Sequence, residues 1–274
     1  MCPVWVGQVY FFGVIELISA ERITEKLKKR LDVTVLECAD STNLLAQKAA
    51  RNGAATGTTF VALKQTAGRG RLGRSFFSPQ GGLYLSIVLR PQTDIHAALS
   101  ITTAAATAVC RALDAFCEAK PMIKWVNDIY LADRKVCGIL TEGAFQPGGE
   151  KLDYAVLGIG LNLTEPAAGY PAEIADKAGA VFGKENVLDA VKESLTAAIL
   201  SEFFTLYSDT AIQNGLEEYQ RRSYLDGKTV SYQKNGETHT AFVVGVDDDV
   251  RLVLEEKGKK VLMEAGEVSV CVNK

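Results

Sequence analysis

Much is missing from this chain of 274 residues, and each absence narrows what it does. There is no excess of basic charge. The formal net charge is −3, so no global field favours nucleic acid, although a local basic cluster can still hold an anion. Only two histidines occur, His96 and His239, and neither stands at metal-ligand spacing from a cysteine. The six cysteines, Cys2, Cys38, Cys110, Cys117, Cys137 and Cys271, form no C-x-x-C pair. That argues against a structural zinc site and a disulfide scaffold, and the cysteines read mostly as small buried apolar residues in a reducing compartment. No apolar run reaches the roughly 20 residues that cross a bilayer. The most apolar stretch, VWVGQVYFFGVIELI at 4–18, has neither a basic flank before it nor a convincing cleavage site after it. It reads as a packed or partly disordered extension, and the chain as cytoplasmic with no membrane partner. Repeats and low-complexity runs are absent as well.

What is present falls into two textures. Residues 19–31 predict a short helix with Ser19 as N-cap, followed by a strand in VTVLECA. DSTNLLAQKAARNG, at 40–53, predicts a helix capped by Asp40 or Ser41 and stopped by Gly53. TTFVALKQ and LYLSIVLRP read as strands, and residues 94–117 as a long, largely buried alanine-rich helix. Strands follow in MIKWVN, in a hairpin turning at Ala132 to Arg134, and in YAVLGIGLNL, then a loop and two helices at 186–207 and 210–222. After Tyr224, apolar and polar residues alternate between turn signals, which predicts a small all-β unit of four or five strands. The pattern as a whole is α+β. It predicts an N-terminal extension over 1–34, a main domain over 35–222 and a C-terminal β-domain over 223–274.

The segment QTAGRGRLGRSFFSP, at 65–79, spells G-x-G-x-x-G through Gly68, Gly70 and Gly73. A dinucleotide-binding turn needs a helix to open from those glycines. Only nine residues separate Gly73 from the strand at Leu83, and they include Pro79, Gly81 and Gly82, so no crossover helix fits. No Gly-Lys-Ser or Gly-Lys-Thr follows, which removes the Walker A reading. Two readings stay open. One is a solvated basic turn. The other is a mobile loop whose Arg69, Arg71 and Arg74 hold phosphate or carboxylate, disordered until a ligand arrives.

A second polar cluster, KWVNDIYLADRKVCGILTEG, carries Lys124, Asn127, Asp128, Lys135 and Glu142. Even spacing along a strand places Lys124 and Asp128 on one face, where they must pair with each other, a ligand or a metal. Asp128 suits Mg²⁺ on a nucleotide. Lys135 reads on its own as a solvent-facing turn lysine. In LGIGLN, the glycines leave room for a ligand against the backbone or mark a bulge, and Asn162 suits an adenine edge. In DSTN, the hydroxyls of Ser41 and Thr42 either cap a helix or also bind a polar ligand at its N-terminus.

These segments, DSTN, QTAGRGRLGRSFFSP, KWVNDIYLADRKVCGIL, GIGLN and the closing GEVSV, resemble in this order the biotin protein ligase family. The resemblance implies a mixed-sheet catalytic domain like the class II aminoacyl-tRNA synthetases and a C-terminal SH3-like β-barrel. It implies that biotin and MgATP form biotinyl-5′-AMP, and that a lysine of a biotin carboxyl carrier protein then takes the biotin. Lys135, Arg69 and Arg71 are implied as the catalytic charges. Ser41, Thr42, Gln65, Gly68, Arg69, Lys135, Gly138 and Gly158 are implied for biotin, Arg71, Arg74, Asn127 and Asn162 for ATP, and Asp128 for Mg²⁺. The family usually has proline where Val126 stands and tryptophan where Phe76 stands. About 34 residues precede the ligase-like region and show no helix-turn-helix, so sequence-specific DNA binding is not expected, while a homodimer is. Lipoate or octanoate ligation on the same fold, and non-catalytic sensing of biotin or nucleotide, are the competing readings.

Overall fold

The computed structural model describes residues 18–92, 97–146, 148–149, 151–207, 215–234, 236–265 and 270–272. Residues 1–17, His96, and most of GEVSV lie outside them. Seven strands form the larger sheet: β1 (Val33–Leu36), β2 (Thr59–Ala62), β3 (Gly82–Leu89), β4 (Met122–Lys124), β5 (Asp128–Leu131), β6 (Arg134–Phe145) and β7 (Leu152–Asn162). Their order is β1-β2-β3-β7-β6-β5-β4. Only β1 and β2 run parallel, because a helix, α2 (Thr42–Arg51), crosses between them. Every other pairing is antiparallel, so the sheet is mixed.

The sheet is buried very differently on its two faces. Alternate residues of β3 and β7, Leu83, Leu85, Ile87, Leu89, Leu157, Ile159 and Leu161, face one side and are buried. They share a core with α3 (Ala97–Asp114) and α4 (Asp189–Leu206). Ala105, Ala106 and Ala108 of α3 are fully buried, so that helix approaches closely. On the opposite face, α2 packs Ala46 and Ala50 over Val88, Val156 and Tyr154. Beyond the N-terminal end of α2, the same face carries Tyr84, Ser86, Gly158 and Gly160, which leaves a hollow rather than a second core.

The described residues begin near a short helix, α1 (Ala20–Glu25), whose N-cap Ser19 accepts a hydrogen bond from Arg22 N. It is shorter than the helix predicted over 19–31, because Leu31 enters the core from extended chain and leads directly into β1. The strand MIKWVN also ends early. Residues 125–127 form a turn, so Lys124 and Asp128 are cross-strand partners on β4 and β5 rather than neighbours on one strand. The turn is held from behind. Trp125 Nε1 donates to Val250 O at 2.8 Å and Tyr219 Oη donates to Val126 O at 3.0 Å, and all four residues are buried. The Trp125–Val126 peptide bond is cis. The predicted hairpin is present, with Ala132 and Asp133 at positive φ between β5 and β6.

A five-stranded antiparallel sheet follows: β8 (Thr229–Lys234), β9 (Glu237–Val246), β10 (Leu252–Glu256), β11 (Lys259–Met263) and β12 (Val270–Val272), in the order β11-β10-β9-β8-β12. Between the sheets lies α5 (Leu216–Arg221), which is followed directly by Arg222. The nearly buried Arg222 guanidinium pairs with Asp114 of α3 and Glu218 of α5, and Arg111 reaches Glu218 at 2.7 Å and Glu202 of α4 at 3.4 Å. Burial alone would raise the Glu218 carboxyl, but the two arginines hold it below its ordinary value. Of the cysteines with described side chains, Cys110 and Cys137 are buried, Cys117 is half-buried and Cys38 is exposed. Burial pushes the Cys110 and Cys137 thiols up, which fits inert packing residues. No helix among the described residues is long and apolar enough to cross a membrane.

Removing Arg222 leaves two carboxylates facing each other without their shared cation. Arg222→Ala is expected to cost about 2 kcal/mol at neutral pH, less than for a fully buried pair because Asp114 is partly exposed. A carboxyl depressed by folding stabilises above its unfolded pKa and loses that contribution as pH falls. The deficit should therefore shrink on acidification, as urea denaturation at neutral and acid pH would show.

Candidate active site

The hollow is a cavity of about 480 Å³, a size suited to a small organic ligand. Ser41, Thr42, Gln65, Arg69, Arg71, Arg74, Asn127, Asp128, Lys135, Gly138, Gly158 and Asn162 all line it. Gly68 stands just outside at the foot of the loop, where a Cβ would overlap Phe76 O and Ser78 Oγ. Four separate stretches of sequence thus converge on one space.

At one end the groups are neutral. Ser41 is the N-cap residue of α2, yet its side chain makes no capping hydrogen bond, so capping does not account for it. Gln65 Oε1 accepts from Thr42 N at 2.9 Å and from Thr42 Oγ1 at 3.1 Å, and Gln65 Nε2 donates to Ser78 Oγ at 3.0 Å. Ser86 Oγ lies 2.7 Å from Thr42 Oγ1 and 2.6 Å from Asn43 Oδ1. Gly158 runs directly beneath Asn43, and any Cβ there would overlap its carboxamide.

At the other end the groups are charged. Lys135 Nζ is 2.7 Å from Asp128 Oδ1, an ion pair without hydrogen-bond alignment. The partner of Asp128 is therefore Lys135, on the far arm of the hairpin, and not Lys124. The β-bulge between β5 and β6 shifts the register, so Lys135 comes opposite Tyr130. Asn127 is fixed twice, with Nδ2 donating to Ile139 O at 2.8 Å and Oδ1 accepting from Arg71 Nη1 at 2.9 Å. Asn162 Nδ2 donates to Gly179 O at 3.0 Å, which leaves its carbonyl oxygen to accept from a ligand.

Phe76 forms the wall between the two ends. Gly138 and Gly160 are cross-strand partners, and a Cβ on them would come within 2.9 Å and 2.6 Å of the Phe76 ring. Only glycine at both positions lets the ring lie on the sheet. Lys135 Nζ stands 5.8 Å from the ring centroid, and Tyr84 meets the ring edge-on at 6.4 Å.

The glycine–arginine loop is folded over the cavity. Gly70 N donates to Arg74 O at 2.7 Å, Phe76 N donates to Gly68 O at 2.9 Å, and Leu72 turns outward at positive φ. The repulsion expected among its charges is relieved because Arg69 and Arg71 find partners in the cavity wall, Arg69 Nη2 pairing with Glu142 Oε1 at 2.7 Å.

Several lining residues escaped the sequence reading. Asn43 is one, and the fully buried Ser86 supports it and Thr42 from behind; the lone serine within LYLSIVL was the available signal for Ser86. The segment 166–178, read only as loop, supplies Tyr170, Ile174 and Lys177. It is tied to the hairpin, with Lys135 N donating to Lys177 O at 2.7 Å and Gly179 N donating to Lys135 O at 2.9 Å. Its proline, alanine and glycine content offered no sign of this. The Tyr170 hydroxyl is buried with no hydrogen-bond partner among the described residues, and burial, with Glu165, pushes it up to about 12, so it is a neutral donor.

Residues 35–162 match the model of the biotin/lipoate A/B protein ligase family. A biotin–[acetyl-CoA-carboxylase] ligase of Paracoccus denitrificans is 32% identical over 239 residues, covering 84% of this chain and 96% of that protein. The chain belongs to this family. A bifunctional ligase/repressor BirA of Bacillus spizizenii is 38% identical over 137 residues, which are 50% of this chain and 42% of that protein's length. The chain thus spans less than half the length of that relative. The fold is that of the biotin protein ligase of Aquifex aeolicus, solved in complex with biotin and ATP, with a TM-score of 0.70 at 24% identity, covering 88% of this chain and 99% of the other.

The glycine pair under Phe76 gives a direct test of the cavity floor. Gly160→Ala should lift the ring off the sheet and cost about 1–3 kcal/mol in urea denaturation, as overpacking does. Protease cleavage within 66–77 should become faster at the same time.

Proposed function

We propose that this protein is an ATP-dependent biotin protein ligase. The observation that carries the reading is the polarity of one cavity, with a neutral hydrogen-bonding end at Thr42 and Gln65 and a cationic end at Lys135 and Arg71. Biotin has the matching polarity, with a neutral ureido ring at one end and a carboxylate at the other. Ser41, Thr42 and Gln65 take the ureido ring. Gly68, Gly138 and Gly158 let ligand and loop approach the backbone closely.

In the first step a biotin carboxylate oxygen bonds to the α-phosphorus of ATP, and the bond to pyrophosphate breaks. Two anions must meet, so cations placed in advance lower the barrier. Lys135 moves its charge from Asp128 to the oxygens shared between carboxylate and α-phosphate, and Arg71 and Arg74 meet the phosphates. Asn127 orients Arg71. The free carbonyl oxygen of Asn162 accepts from the adenine amino group. Magnesium enters with ATP. Asp128 would supply one carboxylate oxygen to that ion, which would screen the phosphate charge. In the second step the amine of a carrier-domain lysine attacks the acyl carbon, releasing AMP and a proton. The closed loop keeps water from the mixed anhydride.

The reading extends to a catalytic domain of class II aminoacyl-tRNA synthetase type over 35–222 and an SH3-like barrel over 223–274. It takes a biotin carboxyl carrier protein as partner and includes a cytoplasmic homodimer. Operator DNA binding forms no part of it.

Incubation with biotin, MgATP and an apo carrier domain should add one biotinyl group to the carrier, read by mass. An unchanged carrier, or preferential attachment of lipoate, would overturn the reading. Lys135→Ala should slow adenylate formation by about 100-fold or more with the fold intact, measured by pyrophosphate exchange and circular dichroism.

A further inference from the structure

A carboxylate held by two hydrogen bonds stands behind the cavity, away from its charged end. Glu142 lies on β6, where its Oε1 accepts from Arg69 Nη2 at 2.7 Å and its Oε2 accepts from Asn43 Nδ2 at 2.8 Å. Asn43 is itself buried in the first turn of α2, with Ser86 of β3 hydrogen-bonded to its Oδ1 and Gly158 of β7 directly beneath it. Four elements therefore fix this carboxylate independently of the loop.

The two inner arginines of the loop part company here. Arg71 meets the wall at Asn127, level with Ile139 of β6. Arg69 meets it three residues further along, roughly 10 Å away at strand spacing. Lys135 and Asp128 lie on the opposite side of Ile139. Arg69 thus points away from the place where carboxylate and phosphate would meet, and its charge is already neutralised. Such a guanidinium attracts a second anion poorly, but it makes a firm anchor.

We propose that Glu142 is a positioning residue which pegs the glycine–arginine loop shut through Arg69, and that retention of the adenylate depends on this peg. The proposal rests on the ligase reading above. An isolated exposed ion pair is weak, since two long side chains lose freedom and water screens the attraction. Here Asn43 has already ordered one partner, and the planar guanidinium fork loses little more. Arg71 is then left to respond to the ligand.

Glu142→Gln keeps the shape and an acceptor for Asn43 while removing the charge, so it carries the test whatever Glu142→Ala does to stability. In the substrate-free protein, hydrogen exchange at the Gly70 and Phe76 amides should quicken in Glu142→Gln. With substrates, adenylate escape should rise about tenfold, mostly as a faster dissociation rate, read as diffuse biotin label on a bystander protein. Pyrophosphate exchange at saturating substrate should change by less than about threefold. The double variant Arg69→Ala/Glu142→Gln should leak no more than Arg69→Ala alone, because both remove one peg. Additive leakage, or unchanged exchange and escape in Glu142→Gln, would overturn the proposal. The exchange measurement needs no turnover, so a wild-type protein that transfers no biotin would sink the ligase reading and leave the peg to be judged separately.

Discussion

The site depends on how far α2 reaches across the sheet. Its Ala46 and Ala50 cover one end of the second face, and the other carries no helix among the described residues, only the Phe76 ring lying on Gly138 and Gly160. A bare sheet face would ordinarily demand a second helix. Here β3, β6 and β7 change character at the point where α2 begins, passing from Val88 and Val156 to Ser86, Gly158, Gly160 and Gly138. The cavity is the volume that another helix would have filled. Its roof is a loop rather than a helix, so it can open.

Electrostatics divide this space through cations that are already paired. Three of them have partners from different elements: Lys135 with Asp128, Arg71 with the Asn127 carbonyl, Arg69 with Glu142. The partners at the two ends differ in kind. Those near Lys135 are exchangeable for a ligand's oxygens, since that ion pair lacks hydrogen-bond alignment. The Glu142 carboxylate is saturated by a buried amide and a guanidinium. Exchangeable and fixed contacts are thus placed at opposite ends of the cavity, and the loop reaches both through Arg71 and Arg69.

Much of the fold is legible in local pattern. Apolar and β-branched runs, with alternation after Tyr224, locate nearly every strand, and the short distance from Gly73 to Leu83 leaves no room for a crossover helix. What stays hidden depends on contacts distant in sequence. Lys135 looks like a surface lysine because its meaning lies in a bulge and in an aspartate across the hairpin. The turn at 125–127 is unreadable because Tyr219 and Val250 hold it from far along the chain. Glu142 stands in the polar cluster by composition, but only the folded position of Asn43 shows what it does.

The hydrogen bond from the Trp125 indole to the Val250 carbonyl has a further bearing on how the molecule is divided. Trp125 and Asn127 both border the cavity, so the smaller sheet buttresses the floor of the site through a single β-turn. Gln220 reinforces it by donating to Val246 O at 3.0 Å. In sequence the last fifty residues read as a separate small β-unit. In the folded chain the turn at 247–251 holds from behind the backbone turn that carries Trp125 and Asn127 to the edge of the cavity.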